Sequence, residues 1–244
     1  MSNWLSRTQL LFGKEAIEVL AQSRVAVFGI GGVGGYAIEA LARSGVGAID
    51  VIDDDVVGET NINRQLVATT SSVGDLKIDV MAQRVADINP VCVVRAHRCF
   101  YLPAMKGTFD FSEFNYVVDA VDTVTAKLQL MQDAHEAKTP IISVLGTANK
   151  VDPTLLRVAD ISKTSICPFA RILRKECRKR GIEGVKAVYS LEEPRRPVEN
   201  ADLEEDALRP GRRDVPGSTA FVPPAAGLIA ASEVVKDLIA AVGT

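Results

Sequence analysis

Residues 24–53, RVAVFGIGGVGGYAIEALARSGVGAIDVIDD, constrain the fold more tightly than any other stretch. An apolar run (Val25, Ala26, Val27, Phe28) enters Gly29-Ile30-Gly31-Gly32-Val33-Gly34, and helical spacing of Ile38, Leu41 and Ala42 follows. A second apolar run over 48–52 ends in Asp53. The pattern predicts strand, glycine-rich turn, helix, strand and acid. In such a unit Gly29 allows the tight turn, Gly31 lets phosphate approach the backbone, and Gly34 lets the helix pack on the strand. Free N–H groups at the helix start cradle phosphates, and Gly32 lies among them. Asp53 stands nineteen residues beyond Gly34, where an acid takes ribose hydroxyls. The competing reading is a glycine turn that is only structural. The complete strand–turn–helix–strand context favours a nucleotide.

The next strands extend that unit. Residues 92–96 predict a third strand, 115–120 a fourth and 141–145 a fifth, with helical spacing between them (Leu76, Val80, Met81, Val85; then 126–137). Alternating strands and helices give a Rossmann-like α/β fold, a doubly wound and mainly parallel sheet. Two later segments, 154–158 and 186–190, predict strands of an antiparallel C-terminal extension. At 244 residues the chain suits one large domain or two small ones. The organisation expected is a nucleotide-binding core over 1–150, with 151–244 as the C-terminal part of the same domain. That part holds a basic helix at 167–180, a mobile loop at 192–216 and a packed helix at 223–240. The loop has four prolines, dense mixed charge and no aromatic residue. The last helix is rich in Ala and Gly, which implies close packing.

Charge and cysteine usage narrow the function classes. A net charge of −3 predicts no general affinity for nucleic acid, so any RNA site must be a local basic patch. The four cysteines (Cys92, Cys99, Cys167, Cys177) form no CxxC pair and read as reduced cytosolic thiols. The start, MSNWLSRTQLLFG, has no signal-peptide pattern, and no run reaches the length of a membrane span. A cytoplasmic protein without membrane contact is expected.

Polar residues accumulate where strand ends should lie. Asn61, Asn63, Arg64 and Gln65 follow the second strand. Lys77 falls in the first turn of the next helix, where a cation opposes the helix dipole. That suggests an anionic partner, against a side chain pointing to water. Asp119 and Asp122 follow the fourth strand, at the carboxyl edge where open α/β sheets bind ligands. A carboxylate there suits Mg²⁺, held by one or two carboxylates plus substrate phosphates. The alternative is an N-cap for the following helix. Arg7, in the helical segment 5–22, reads on its own as a solvated charge. At helical angles Phe169, Ile172, Leu173 and Cys177 fall on one side of the basic helix, and Arg171, Arg174, Lys175 and Arg178 on the other. A phosphate-backbone partner and a solvated face are both open from this feature alone.

A dehydrogenase would use the glycine turn and Asp53 but leave Arg64, Lys77 and Asp122 without a role, and His97 and His135 read as structural. A triphosphate with Mg²⁺ employs all of them. The GxxxxGK[ST] pattern of P-loop phosphoryl transfer is absent. Adenylation remains, in which a carboxylate attacks the α-phosphate and pyrophosphate leaves.

GIGGVGG, DDDVVGETNINRQ, Lys77 thirteen residues after Arg64, and DAVD ending at Asp122 resemble the ubiquitin-activating-enzyme-like adenylation family. The resemblance covers roughly residues 5–150. It implies an ATP site with Asp53 on the ribose, Asn61, Arg64, Gln65 and Lys77 at the nucleotide, and Asp122 on Mg²⁺. It also implies a homodimer in which Arg7 reaches the partner's site.

GTANKVDPTLLRVADISKTSICPFARILRKECRKRG is similar to the branch of that family that dehydrates threonylcarbamoyladenosine in tRNA. This implies adenylation of the threonyl carboxylate at tRNA position 37, then ring closure by the neighbouring carbamoyl group. The basic face would then hold the anticodon stem-loop. The alternative is an activator of a ubiquitin-like sulfur-carrier protein. Those activators carry paired CxxC zinc ligands, which this chain lacks, and no cysteine follows Cys177. Both departures favour the tRNA branch.

Overall fold

The computed structural model describes residues 4–198 and 216–242. Seven strands form one sheet: β1 (Arg24–Phe28), β2 (Ala48–Ile52), β3 (Val93–His97), β4 (Tyr116–Asp119), β5 (Ile141–Val144), β6 (Leu156–Asp160) and β7 (Lys186–Ser190). Their spatial order is β3-β2-β1-β4-β5-β7-β6. Every neighbouring pair is parallel except β6 with β7. The antiparallel extension is therefore a single pair: β7 continues the parallel sheet beside β5, and β6 alone turns back along the edge.

Strand alternation sorts the core into two layers. From β1, Val25 and Val27 point to one face, and Ala26 and Phe28 to the other. The first face is covered by α2 (Gly34–Arg43), α3 (Lys77–Ile88), α6 (Val222–Ile239) and the C-terminal half of α1 (Ser6–Gln22). The second is covered by α4 (Val124–Ala137) and α5 (Pro168–Arg180), together with Tyr101, Phe111 and Phe114. The small residues of α6 do allow close contact: a Cβ on Gly227 would lie 2.2 Å from the Val33 carbonyl oxygen of the α2 entry.

Two local expectations are corrected. The helical segment expected over 5–22 is not continuous, because Gly13 has φ +82° and interrupts the helix. Ala16 and Leu20 are buried beyond that break, whereas Leu10 and Leu11 before it are 86% and 77% exposed. In α5 the buried centre runs through Ala170, Leu173 and Cys177, so Ile172 faces outward and Arg174 sits at the core margin. Most of the expected loop at 192–216 lies outside the described residues. Among the described residues, no helix is long and apolar enough to cross a membrane.

Candidate active site

The strand order reverses between β1 and β4: β2 and β3 lie on one side of β1, and β4 and β5 on the other. A crevice opens at the carboxyl ends of strands at such a switch point, and the glycine turn emerges there. Gly29 has φ +92°, and a Cβ on it would sit 2.9 Å from the Ala120 carbonyl oxygen. This locks the end of β4 against the turn. Gly34 packs closer still, since its Cβ would fall 1.7 Å from the Gly29 carbonyl oxygen. Gly31 differs: nothing lies within 4 Å of its Cβ position. The first and third glycines are needed by the fold, and the middle one opens onto free space. The α2 N-terminus carries no side-chain cap; the Gly35 amide donates to the Gly31 carbonyl at 3.2 Å, and first-turn N–H groups without an intrahelical partner suit an anion.

Asp53 closes one side of this cradle. Its Oδ2 accepts from the Ile30 amide at 2.5 Å, and its Oδ1 accepts from the Asp55 amide at 2.9 Å. Burial raises its pKa from the ordinary value, against the opposing pull of the Lys77 charge and the two amides. Lys77 is the first residue of α3 and is buried, so it does not point to water. Its Nζ donates to Asp55 Oδ2 at 2.8 Å. The anion that offsets the unfavourable dipole is thus supplied within the chain, by a carboxylate that is itself partly exposed.

The polar segment after β2 forms a 3₁₀ turn at Glu59–Asn61 and then packs on the glycines. The Asn61 Oδ1 accepts from the Gly58 amide at 3.1 Å. The Arg64 guanidinium donates to the Thr60 carbonyl and the Asn63 Oδ1, at 3.0 and 2.9 Å. Its stem lies 3.3 Å from a Cβ position on Gly32, and burial lowers its pKa. Gln65 is buried, and its Oε1 has no hydrogen-bond partner among the described residues.

At the end of β4 the two aspartates separate. Asp119 does not face the crevice; it is fully buried and accepts from Lys127 Nζ at 3.0 Å and Ser143 Oγ at 2.6 Å. The reason is register: β4 pairs with β5 at Asp119 opposite Ser143. Asp122 is exposed, beyond the strand. Neither aspartate caps α4, whose N-cap is Thr123. Lys127, missed in the sequence because a lysine on α4 reads as solvated, is 1% exposed. Burial pushes its amine down, while Asp119 and then Asp122 push it back up.

Arg7 is exposed on α1. On α5, Arg171, Lys175 and Arg178 are exposed, but the Arg174 guanidinium donates to the Thr164 carbonyl and hydroxyl, both at 2.7 Å. The free basic face is therefore narrower than helical angles suggest. His97 is structural: its Nε2 lies 2.8 Å from the buried Asp50 carboxylate.

Comparison with known proteins extends these local matches to the whole chain. It is 46% identical over 243 residues to the tRNA threonylcarbamoyladenosine dehydratase of Bacillus subtilis (strain 168), covering 98% of this chain and 96% of that protein. Against the enzyme of the same name from Escherichia coli (strain K12) the identity is 35%, covering 96% and 92%. The structure of E. coli TcdA in complex with ATP superposes with a TM-score of 0.85 at 34% identity, covering 98% of this chain and 94% of that one. The family model that describes residues 5–242 is that of ThiF, and the chain belongs to the ThiF family.

Proposed function

We propose that the protein uses ATP to dehydrate N6-threonylcarbamoyladenosine at position 37 of tRNA. The observation that carries this reading is the similarity to the B. subtilis dehydratase, which runs through both the nucleotide turn and the basic helix rather than stopping at the adenylation core. The threonyl carboxylate attacks the α-phosphorus of ATP and pyrophosphate leaves. The carbamoyl group then attacks the acyl carbon, AMP departs, and the ring closes with net loss of water.

Most of the chain's task is positioning and charge stabilisation. The open backbone at Gly31 and the uncapped start of α2 receive phosphate. Asp53 meets the ribose, and Asn61, Arg64, Gln65 and Lys77 surround the triphosphate. Lys77 exchanges its Asp55 partner for phosphate oxygens. The exposed carboxylate of Asp122 is a hard oxygen donor that fits Mg²⁺, and that ion would offset charge on the leaving pyrophosphate. Arg7 acts across a homodimer, a reading supported by the exposed apolar side chains of Trp4, Leu10 and Leu11 on the same segment. The anticodon stem-loop lies on Arg171, Lys175 and Arg178, with Arg174 shaping the surface.

The test is incubation with ATP, Mg²⁺ and tRNA carrying N6-threonylcarbamoyladenosine, followed by nucleoside mass spectrometry. Loss of the mass of one water, slowed on the order of a hundredfold in Asp122→Ala, is expected. An unchanged nucleoside in the presence of bound ATP would overturn the reading and direct the search to a sulfur-carrier protein.

A further inference from the structure

Beyond the residues that surround the nucleotide, one buried cation lacks a hydrogen-bond partner among the described residues. Lys150 is 1% exposed, and its Nζ has no hydrogen-bond partner among the described residues. An ammonium offers three donors and no acceptor, and leaving it unmet inside a protein is costly. Lys127, equally buried, shows the usual solution, with a carboxylate and a hydroxyl in reach. The ionisable groups that act on Lys150 are Cys167 and Glu192, which favour its proton while burial opposes it. Glu192 is already engaged, accepting from the Val151 and Asp152 amides at 3.0 and 2.9 Å.

The backbone around Lys150 is held in costly conformations. Asn149 has φ +60° and Ile166, directly before Cys167, has φ +63°. Positive φ is especially unfavourable for a β-branched residue. Asn149 is clasped on three sides: its N–H donates to the Gly217 carbonyl, its Oδ1 accepts from the Gly217 amide, and its carbonyl accepts from the Arg195 amide. The two strained loops touch, since a Cβ on Gly146 would meet the Cys167 sulfur at 2.7 Å. Strain and an unmet buried charge in one place are the signature of a site shaped for a ligand. The loop 145–155 leaves the carboxyl end of β5, the strand next to β4, so it emerges beside Ala120–Asp122 at the same edge as the nucleotide cradle.

We propose that Lys150 forms an anion-binding subsite that receives a carboxylate oxygen of the substrate beside the adenylation centre. The charge state selects the class: a desolvated ammonium gains most from an anionic oxygen. The subsite deepens the dehydratase reading, because it gives the threonyl carboxylate a place to dock before it is activated.

Two readouts on the full chain test it, with Lys150→Met and Lys150→Gln. Removing a buried amine that has no hydrogen-bond partner among the described residues should raise the melting temperature of Lys150→Met by about 3 °C. With ATP, Mg²⁺ and the modified tRNA, kcat/KM should fall about 30-fold in Lys150→Met, with ATP affinity unchanged. Acetate, a bare carboxylate, should stabilise the wild type against heat and leave Lys150→Met unaffected. Wild-type kcat/KM in Lys150→Met, or an equal acetate response in both proteins, overturns the subsite. So does failure of both variants to fold, because that would give the amine a structural role. An inactive wild type counts against the dehydratase reading, and the acetate comparison then decides the subsite.

Discussion

The Asp53 carboxylate accepts a hydrogen bond from the Ile30 amide at 2.5 Å, tying the first residue after β2 to the first turn after β1. One side chain thus fixes the shape of the glycine turn and presents its charge where the ribose is expected. Asp53→Ala should cost about 1–2 kcal/mol of stability in urea denaturation, because two amides lose their acceptor. ATP affinity by calorimetric titration should drop about tenfold or more through the lost ribose contact. Retained affinity would remove Asp53 from the ribose role.

Gly31 and Gly34 make opposite predictions although both belong to the same motif. Alanine at Gly31 meets open space, so Gly31→Ala should fold with wild-type stability and bind ATP poorly. Alanine at Gly34 would overlap the Gly29 carbonyl, and the shift needed should destabilise the chain by about 3 kcal/mol or more. Thermal melts paired with ATP titration separate the two. Normal ATP binding by Gly31→Ala would show that phosphate does not approach that backbone.

On α5, the triple substitution Arg171→Ala, Lys175→Ala, Arg178→Ala should weaken tRNA binding and flatten its dependence on salt, by up to about three in the log–log slope. Filter binding across a salt series measures it. Arg174→Ala should also lower the melting temperature, because it removes the two hydrogen bonds to Thr164. Equal salt slopes for wild type and triple variant would take the helix out of RNA binding.

Asp50 predicts part of the acid limb of stability. Burial pushes its carboxyl up, but the hydrogen bonds and charges of Arg24 and His97 outweigh this and hold it below its ordinary value of 3.8. A carboxyl lowered in the fold contributes stability that is complete above its unfolded value and lost as pH falls through the folded one. Unfolding free energy should therefore decline below about pH 4. Asp50→Asn should lower stability at neutral pH by about 3 kcal/mol, leaving Arg24 with only the more exposed Glu113 carboxylate as an ion-pair partner, and shallow the acid decline. Denaturation at a series of pH values measures both effects, and an unchanged acid limb would assign it to other carboxylates.

Local pattern made the nucleotide unit legible. Steric demands on consecutive residues produce the turn at Gly29, the open backbone at Gly31, the packing at Gly34 and the acid at the end of β2. The strand Lys186–Ser190 was readable for the same reason, as was the small-residue helix Val222–Ile239 within a residue at each end. The phase of α5 was nearly so, but packing centred the buried line on Ala170, Leu173 and Cys177, which turned Ile172 outward and brought Arg174 to the core margin.

What tertiary structure alone decided are the pairings across strands. Asp119 and Asp122 are equivalent in sequence, and only the β4–β5 register, which sets Ser143 and Lys127 around Asp119, buries one while the other stays exposed. Lys77 showed its need for an anion through the helix dipole but not that Asp55 meets it. Lys150 gave no signal, since a lysine in a loop is ordinarily solvated and only the fold around it removes the water. The sequence by itself determines which residues can form the turn and the strands. Burial and partnership depend on contacts between distant segments, and those exist only once the sheet has assembled.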